Sequence, residues 1–310
     1  MENLNHVPVL LEEILTWLQP RKQGCYLDCT IGMGGTAGQI LKVSAPDGIL
    51  IGIDRDPQAI AHAQTRLQAH GSRIQLFCEN FQLVKSVMNI ANRERADGIL
   101  FDLGVSSAQL DQPERGLSFQ QDGPLDMRMN PTCGHTAEDL VNALPETQLT
   151  RIIHEFGEER YSRRIARAIV RVRRQSPLRS TLDLSRVIRE SVPRSYRSGR
   201  LHPATRTFQA FRMAVNDELG SLQTGLDEAV DVLAPGGRLC VISFHSLEDR
   251  VVKQTFRRLA HETPDQWTIL TKKPVSPSLQ ERRANPRARS AKLRVLERKP
   301  GWGDGQRGHA

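Results

Sequence analysis

Apolar residues along this chain follow two rhythms. Short runs such as Gly48-Ile-Leu-Ile-Gly-Ile-Asp54, Ile74-Gln-Leu-Phe-Cys-Glu79 and Ala96-Asp-Gly-Ile-Leu-Phe-Asp-Leu103 read as buried strands. Between them apolar positions recur at helical spacing. Residues 10, 11, 14, 15 and 18 form one face after a proline-marked start, Pro57 to Ala69 carries its proline in the first turn, and a further helix runs from Asn80-Phe81 to about Ala91. Strands are expected at 25 to 30, 48 to 54, 74 to 79, 96 to 103, 236 to 244, 267 to 271 and 290 to 297.

The alternation stops from Ala108 to about Ser198, where turns give way to helical patterns at Ala137 to Ala143, Gln148 to Phe156 and Tyr161 to Arg173. It resumes with a long helix from His202 to Leu219, read as continuing to Leu233. A Pro235-Gly-Gly turn, a fifth strand and a helix from Ser246 to about Leu259 follow, and the last two strands suit an antiparallel hairpin. Alternating strands and helices predict an α/β fold, a mostly parallel sheet with helices on both faces. The domain reading is a sheet domain in two parts, 1–107 and 199–300, an inserted all-helical domain at 108–198 and a frayed tail at 301–310.

A chain of 310 residues with 38% hydrophobic content can bury a real core. Its 43 Lys+Arg against 35 Asp+Glu, a formal charge of +8 and a pI near 9.6 favour a polyanionic partner, with nucleic acid ahead of an anionic membrane surface. One basic segment stands out. Arg163 to Arg174 puts Ile165, Ala168, Ile169 and Val172 on one helical face and arginines on much of the rest, either a solvated face or a phosphate-contacting one.

Five scattered cysteines complete no zinc spacing, no metal site is expected, and they read as reduced residues in or near the core of a cytoplasmic protein. Glu12 and Glu13 interrupt the first apolar segment, and no run approaches membrane-spanning length, which argues against secretion and membrane insertion.

The candidate chemistry gathers at Tyr26-Leu-Asp-Cys-Thr-Ile-Gly-Met-Gly-Gly-Thr36 and Ile51-Gly-Ile-Asp54. Glycines there permit positive φ and let backbone N–H groups approach a ligand, while Asp54 can accept ribose hydroxyls. Nicotinamide-dependent oxidoreductases and S-adenosyl-L-methionine (AdoMet) enzymes both use this layout. Ligands of such sheets sit beyond the carboxyl ends of the strands, which lines up Asp28, Asp54, Glu79-Asn80-Phe81 and Asp102 on one rim. Asp28 four residues before Gly32 suits the ammonium of a methionine moiety, though it could instead cap the turn, and the closing strands suit a methyltransferase.

Methyl transfer to an exocyclic amine needs an acceptor for its hydrogen bond and then its proton. Asp102 and the Ser106-Ser107 turn occupy that position, although the Asp/Asn-Pro-Pro-Tyr sequence common in amine methylation is absent. His245 is a possible base. Ser246 reads as the cap of the following helix, with Asp249 three residues later, and His6 reads as structural or solvated.

Several strings together resemble one family, the bacterial small-subunit ribosomal RNA cytosine N4-methyltransferases. They include His6-Val-Pro-Val-Leu-Leu-Glu, Asp28-Cys-Thr-Ile-Gly-Met-Gly-Gly, Phe101-Asp-Leu-Gly-Val-Ser-Ser-Ala-Gln-Leu-Asp111, Asp122-Gly-Pro-Leu-Asp-Met-Arg-Met129, His202-Pro-Ala-Thr-Arg-Thr-Phe-Gln-Ala, Ile242-Ser-Phe-His-Ser-Leu-Glu-Asp-Arg250 and Asn285-Pro-Arg-Ala-Arg-Ser-Ala-Lys-Leu-Arg294. The resemblance implies a class I, Rossmann-like AdoMet methyltransferase sheet of seven strands with an inserted helical domain. It implies AdoMet as methyl donor and, as substrate, one cytosine (position 1402) of 16S rRNA in the small ribosomal subunit.

It further implies that Gly34, Gly35, Thr36, Asp54, Phe81, Asp102 and Gln109 line the cofactor site, with Asp102 the candidate catalytic residue. The family usually carries histidine where this chain has Thr36, so a contact through that imidazole would be lost and one through the backbone kept. The competing readings are an NAD(P)-dependent oxidoreductase and a ribosome assembly factor that keeps the fold without turnover.

Overall fold

The computed structural model describes residues 8–301, so His6 and the tail beyond Gly301 lie outside the described residues. The chain forms two compact units. One comprises the chain up to Gly104 and from Leu219 onward, and the other is Val105–Glu218.

The first unit holds all seven named strands: β1 (Cys25–Asp28), β2 (Ile49–Asp54), β3 (Ile74–Cys78), β4 (Ala96–Asp102), β5 (Leu233–Ser243), β6 (Trp267–Ile269) and β7 (Lys292–Arg298). Their order is β3-β2-β1-β4-β5-β7-β6. β1 to β5 run parallel, and β7 lies antiparallel between β5 and β6. The expected closing hairpin is present with its second strand innermost. Leu293, Arg294, Val295 and Leu296 are buried in succession, whereas only Trp267 of β6 is, so the more apolar strand takes the interior position.

Strand alternation divides the unit into two cores. Leu27, Ile51, Ile53, Ile99, Phe101 and Val241 face α4 (Val84–Ile90), α12 (Glu218–Val232) and α13 (Ser246–Glu262), through Val87, Leu226 and Phe256 among others. The alternate residues Tyr26, Leu50, Leu100, Cys240 and Ile242 face α1 (Leu11–Leu18), α2 (Gly35–Val43) and α3 (Pro57–Leu67), through Ile14, Ile40 and Leu67. Both faces are therefore covered, the condition under which a parallel sheet reads as continuous apolar runs. Asp56 caps α3 by accepting from the Gln58 N–H at 3.0 Å, with Pro57 in the first turn as its sequence indicates.

The second unit is helical: α5 (Ser107–Leu110), α6 (Ala137–Ala143), α7 (Glu146–Glu155), α8 (Ser162–Arg173), α9 (Thr181–Ser191), α10 (Arg194–Arg197) and α11 (Thr205–Asn216). Leu149, Ile153, Ile165, Ile169, Leu184, Ile188, Phe208 and Phe211 fill its core. Phe208 and Phe211 bring α11 into this core, so the unit runs past residue 198 to Glu218. The helix expected to continue from 202 to 233 is broken at Asp217, which is left-handed at φ 45°. Asn216 explains the stop. Its amide donates to the Met127 carbonyl at 2.8 Å and accepts from the Met129 N–H at 2.8 Å, and a buried bidentate Arg212–Glu218 pair at 2.8 and 2.9 Å spans the break. No Gly or Pro marks this point, so apolar spacing runs straight through it.

Gly52 of β2 faces the second core, where a Cβ would stand 2.2 Å from Ile31 Cδ1 and 2.8 Å from Leu76 Cδ2. Gly52→Val should therefore lower unfolding stability by about 1–3 kcal/mol, the usual range for overpacking, read by denaturant titration. A variant as stable as the wild type would show that the sheet has slack here.

Candidate functional site

The segment after β1 bridges the point where strand order reverses. Cys29 N–H donates to the Leu100 carbonyl of β4 at 2.8 Å, and Ile31 N–H donates to the Ile53 carbonyl of β2 at 2.9 Å. Thr30, between them, donates its N–H to Asp28 Oδ1 at 3.1 Å, and its hydroxyl accepts from the Asp102 N–H at 2.6 Å. The loop is thus pinned to both neighbouring strands at the crevice where such sheets bind ligands.

From there the chain turns through Gly32 (φ 50°) and Gly34 (φ 75°), conformations that L side chains rarely adopt. At Gly34 a Cβ would also come within 2.9 Å of Leu67 Cδ1. α2 begins at Gly35 with no side-chain cap, so its first-turn N–H groups, from Gly35, Thr36 and Ala37, face the rim as donors. Thr36 is buried in that first turn.

Asp54 ends β2 with its carboxylate engaged on both oxygens: Oδ2 accepts from the Gly32 N–H and Oδ1 from the Asp56 N–H, each at 2.9 Å. The acid therefore clamps the glycine turn as well as facing the rim, and each oxygen retains a second lone pair. Phe81 follows β3, after Asn80 has capped a short 3-10 turn by accepting from the Gln82 N–H at 3.1 Å. Its ring meets Phe101 edge-on at 5.5 Å, and a Cβ at Gly225 would stand 2.8 Å from its Cδ2, so Phe81 is seated in the core and only half-buried.

Gly34, Gly35, Thr36, Asp54, Phe81 and Asp102 all belong to the carboxyl-end loops of one sheet. Gln109 stands in the second unit, on α5, where its Oε1 accepts from the Ser106 N–H at 2.9 Å and its own N–H donates to Ser106 Oγ at 3.2 Å.

The rim is electrostatically unfinished. Asp28 is 2% exposed, and burial pushes its carboxyl up to about 7, against the bond from Thr30 and with a contribution from Asp54. Asp54 is raised to about 6, chiefly by burial, with the Asp56 and Gly32 bonds opposing. Asp102 is raised furthest, to about 8, by burial and then by the charges of Asp28 and Glu248, and its Oδ1 has no hydrogen-bond partner among the described residues. Three carboxyls with too little positive charge around them fit a ligand that brings a cation.

Two residues emerge that the strand-end rule leaves out. Thr30 ties β1 to β4, and Glu248 adds a fourth acid beside Asp102. The cap of α13 is also different from the expected one. His245, rather than Ser246, is the N-cap: its Nδ1 accepts from the Glu248 N–H at 3.4 Å, and Glu248 Oε2 accepts from the Phe244 and His245 N–H groups at 2.9 and 3.3 Å. The helix starts one residue earlier than the Ser–Asp reading implied, and the histidine ring does the work of the hydroxyl. Cys25, Cys29 and Cys240 are buried, and burial pushes their thiols up, whereas Cys78 and Cys133 are exposed rather than near the core.

The raised carboxyls make stability depend on pH. Each binds more protons folded than unfolded between about pH 4 and its raised value, so stability is greatest below that window and falls as pH climbs through 6 to 8. The thermal midpoint of the ligand-free protein should fall from pH 6 to 9, and Asp102→Asn should flatten part of that fall. A midpoint that rises over this range, or the same slope in the variant, would contradict the burial argument.

A family model described as the MraW methylase family matches residues 3–299. The chain is 50% identical over 311 residues to ribosomal RNA small subunit methyltransferase H of Citrifermentans bemidjiense, covering 96% of this chain and 100% of that one. It is 52% identical over 296 residues to the protein of the same name from Synechococcus elongatus (96% and 95%), and 49% identical over 308 residues to that of Heliobacterium mobile (95% and 99%). A methylase match over nearly the whole chain overturns the nicotinamide alternative. With its glycine turn, acidic rim and inserted helical unit, this chain belongs to the MraW methylase family.

Proposed function

We propose that this protein is an AdoMet-dependent methyltransferase that methylates N4 of one cytosine, position 1402, of 16S rRNA in the small ribosomal subunit, in the cytoplasm. The observation that carries the reading is the rim itself, in which uncapped helix donors, the Asp54 carboxylate and two unneutralised acids, the buried Asp28 and the half-buried Asp102, converge at the switch point of the sheet. The relatives' names point to ribosomal RNA of the small subunit, and the resemblance of the sequence strings points to the cytosine.

AdoMet, when bound, supplies a methyl group already activated by its sulfonium, so the protein's task is alignment and proton handling. In this reading Asp54 accepts the ribose hydroxyls while the N–H groups from Gly35 onward face the polar end of the cofactor. Phe81 lies against the adenine. Gly34 keeps the turn open by having no side chain, and Gln109 is read as a further polar contact. Asp28 takes the ammonium, and Asp102 faces the reacting end.

Asp28 and Asp102, where they hold positively charged groups of a bound cofactor, are favoured in their ionised forms, reversing the effect of burial. An ionised Asp102 then accepts the hydrogen bond of the cytosine amine and, as the nitrogen loses its lone pair to the methyl group, the proton. Thr36 presents its backbone N–H to the cofactor, a contact that does not need the imidazole usual in the family. Arginines of α8 are exposed at 163, 164 and 171, available to phosphates, while Arg167 is paired with Glu146 at 3.6 Å and Arg173 donates to the Val141 carbonyl at 2.6 Å.

Labelled methyl transfer from AdoMet to small subunits lacking the modification should be observed. Asp102→Asn should lower kcat by about 100-fold or more and also weaken AdoMet binding by calorimetry, because a cofactor that favours the ionised carboxylate is favoured by it in turn. A variant that turns over normally but binds AdoMet poorly would make Asp102 a cofactor ligand only. AdoMet binding by the wild type without transfer to subunits, naked RNA or nucleotides would sink the enzymatic reading.

A further inference from the structure

Within the first unit, beyond the carboxyl end of β5, lies a cavity of about 220 Å³ that the cofactor rim does not use. His245 and Ser246 form one wall, and Ser276, Arg289, Ser290 and Lys292 form much of the other. No acid is among its lining residues.

The wall is built rather than draped. Val275 and Leu293 exchange backbone hydrogen bonds at 2.9 and 2.8 Å, which fixes Ser276 beside the start of β7. Asn285 caps the turn Pro286–Ser290 by accepting from the Arg287 N–H at 3.1 Å, and the fully buried Ala288 anchors that turn so that Arg289 and Ser290 stand exposed beside it. Two carboxylates stand near: Glu248, at 3.2 Å from His245 Nε2 and accepting from the Phe244 and His245 N–H groups, and Asp249, which is already matched by Lys292 at 3.1 Å and Arg294 at 2.7 Å. Arg289 has no acidic partner among the described residues. Together Arg289, Lys292 and Arg294 outnumber Asp249 and Glu248 by one charge.

We infer that this cavity takes a phosphodiester group of the RNA strand that carries the target base. Serine hydroxyls and a guanidinium donate to non-bridging oxygens, Lys292 supplies a second positive charge, and α14 (Leu279–Ala284) with the turn after it continues the basic surface through Arg282, Arg283 and Arg287. Glu281, the acid of that helix, is turned inward to the Leu10 N–H at 2.8 Å. A phosphate held here fixes the strand at the end of β5, next to the strand whose end carries Asp102. The inference rests on the RNA methyltransferase reading above.

The test compares wild type, Arg289→Ala, Arg289→Lys and Ser276→Ala in methyl transfer to unmodified small subunits across a salt series. Arg289→Ala should raise KM about tenfold with kcat unchanged, the loss of one charge-assisted contact. The slope of log affinity against log salt should fall by about 0.7, one counterion on a single strand. Arg289→Lys should keep most of the slope, and Ser276→Ala should raise KM without changing it. AdoMet affinity and the thermal midpoint serve as folding controls. An unchanged KM and slope in Arg289→Ala, or a loss confined to kcat, overturns the assignment. If the wild type itself transfers no methyl, the parent reading fails instead, and the RNA affinity of wild type against Arg289→Ala by anisotropy still decides this site.

Discussion

Everything at the rim depends on how the residues after β1 straddle two strands. Cys29 bonds to β4 and Ile31 to β2, and the Asp54 carboxylate then holds the Gly32 N–H from the far side. Three backbone donors and one acid fix a loop that would otherwise be a free glycine turn. Because the sheet order reverses at β1, the loop has strands to grip on both sides, which is the physical reason that a ligand crevice opens there.

The same geometry explains the unusual titration. Short strands end together, so their terminal acids are drawn into one poorly solvated place, and the hydrogen bonds to Asp28 and Asp54 offset only part of what burial costs. Asp102 keeps one oxygen without a partner among the described residues. A structure that tolerates three carboxyls raised to between about 6 and 8 is organised for a bound cation rather than for its own stability.

Much of this was legible in the sequence, for identifiable reasons. Strands buried on both faces announce themselves as apolar runs, and each ended within a few residues of its expected boundary. The strand-end acids followed from the parallel topology alone. What escaped were features fixed by tertiary contact. The break at Asp217 is imposed by Asn216 reaching to Met127 and Met129, and the His245 cap by the return of Glu248 onto the backbone. The clamp of Asp54 on Gly32 joins residues 22 apart and carries no local signature. α9 had one, since Ser180 accepts from the Asp183 N–H at 3.2 Å as a Ser-x-x-Asp cap predicts.

The central claim is that burial holds these carboxyls partly protonated until a cationic cofactor arrives. Calorimetry of AdoMet binding near pH 7, in two buffers of different ionisation enthalpy, reads the protons exchanged directly. The account predicts net proton release, smaller in Asp102→Asn; tight binding with no release, or with proton uptake, would contradict it.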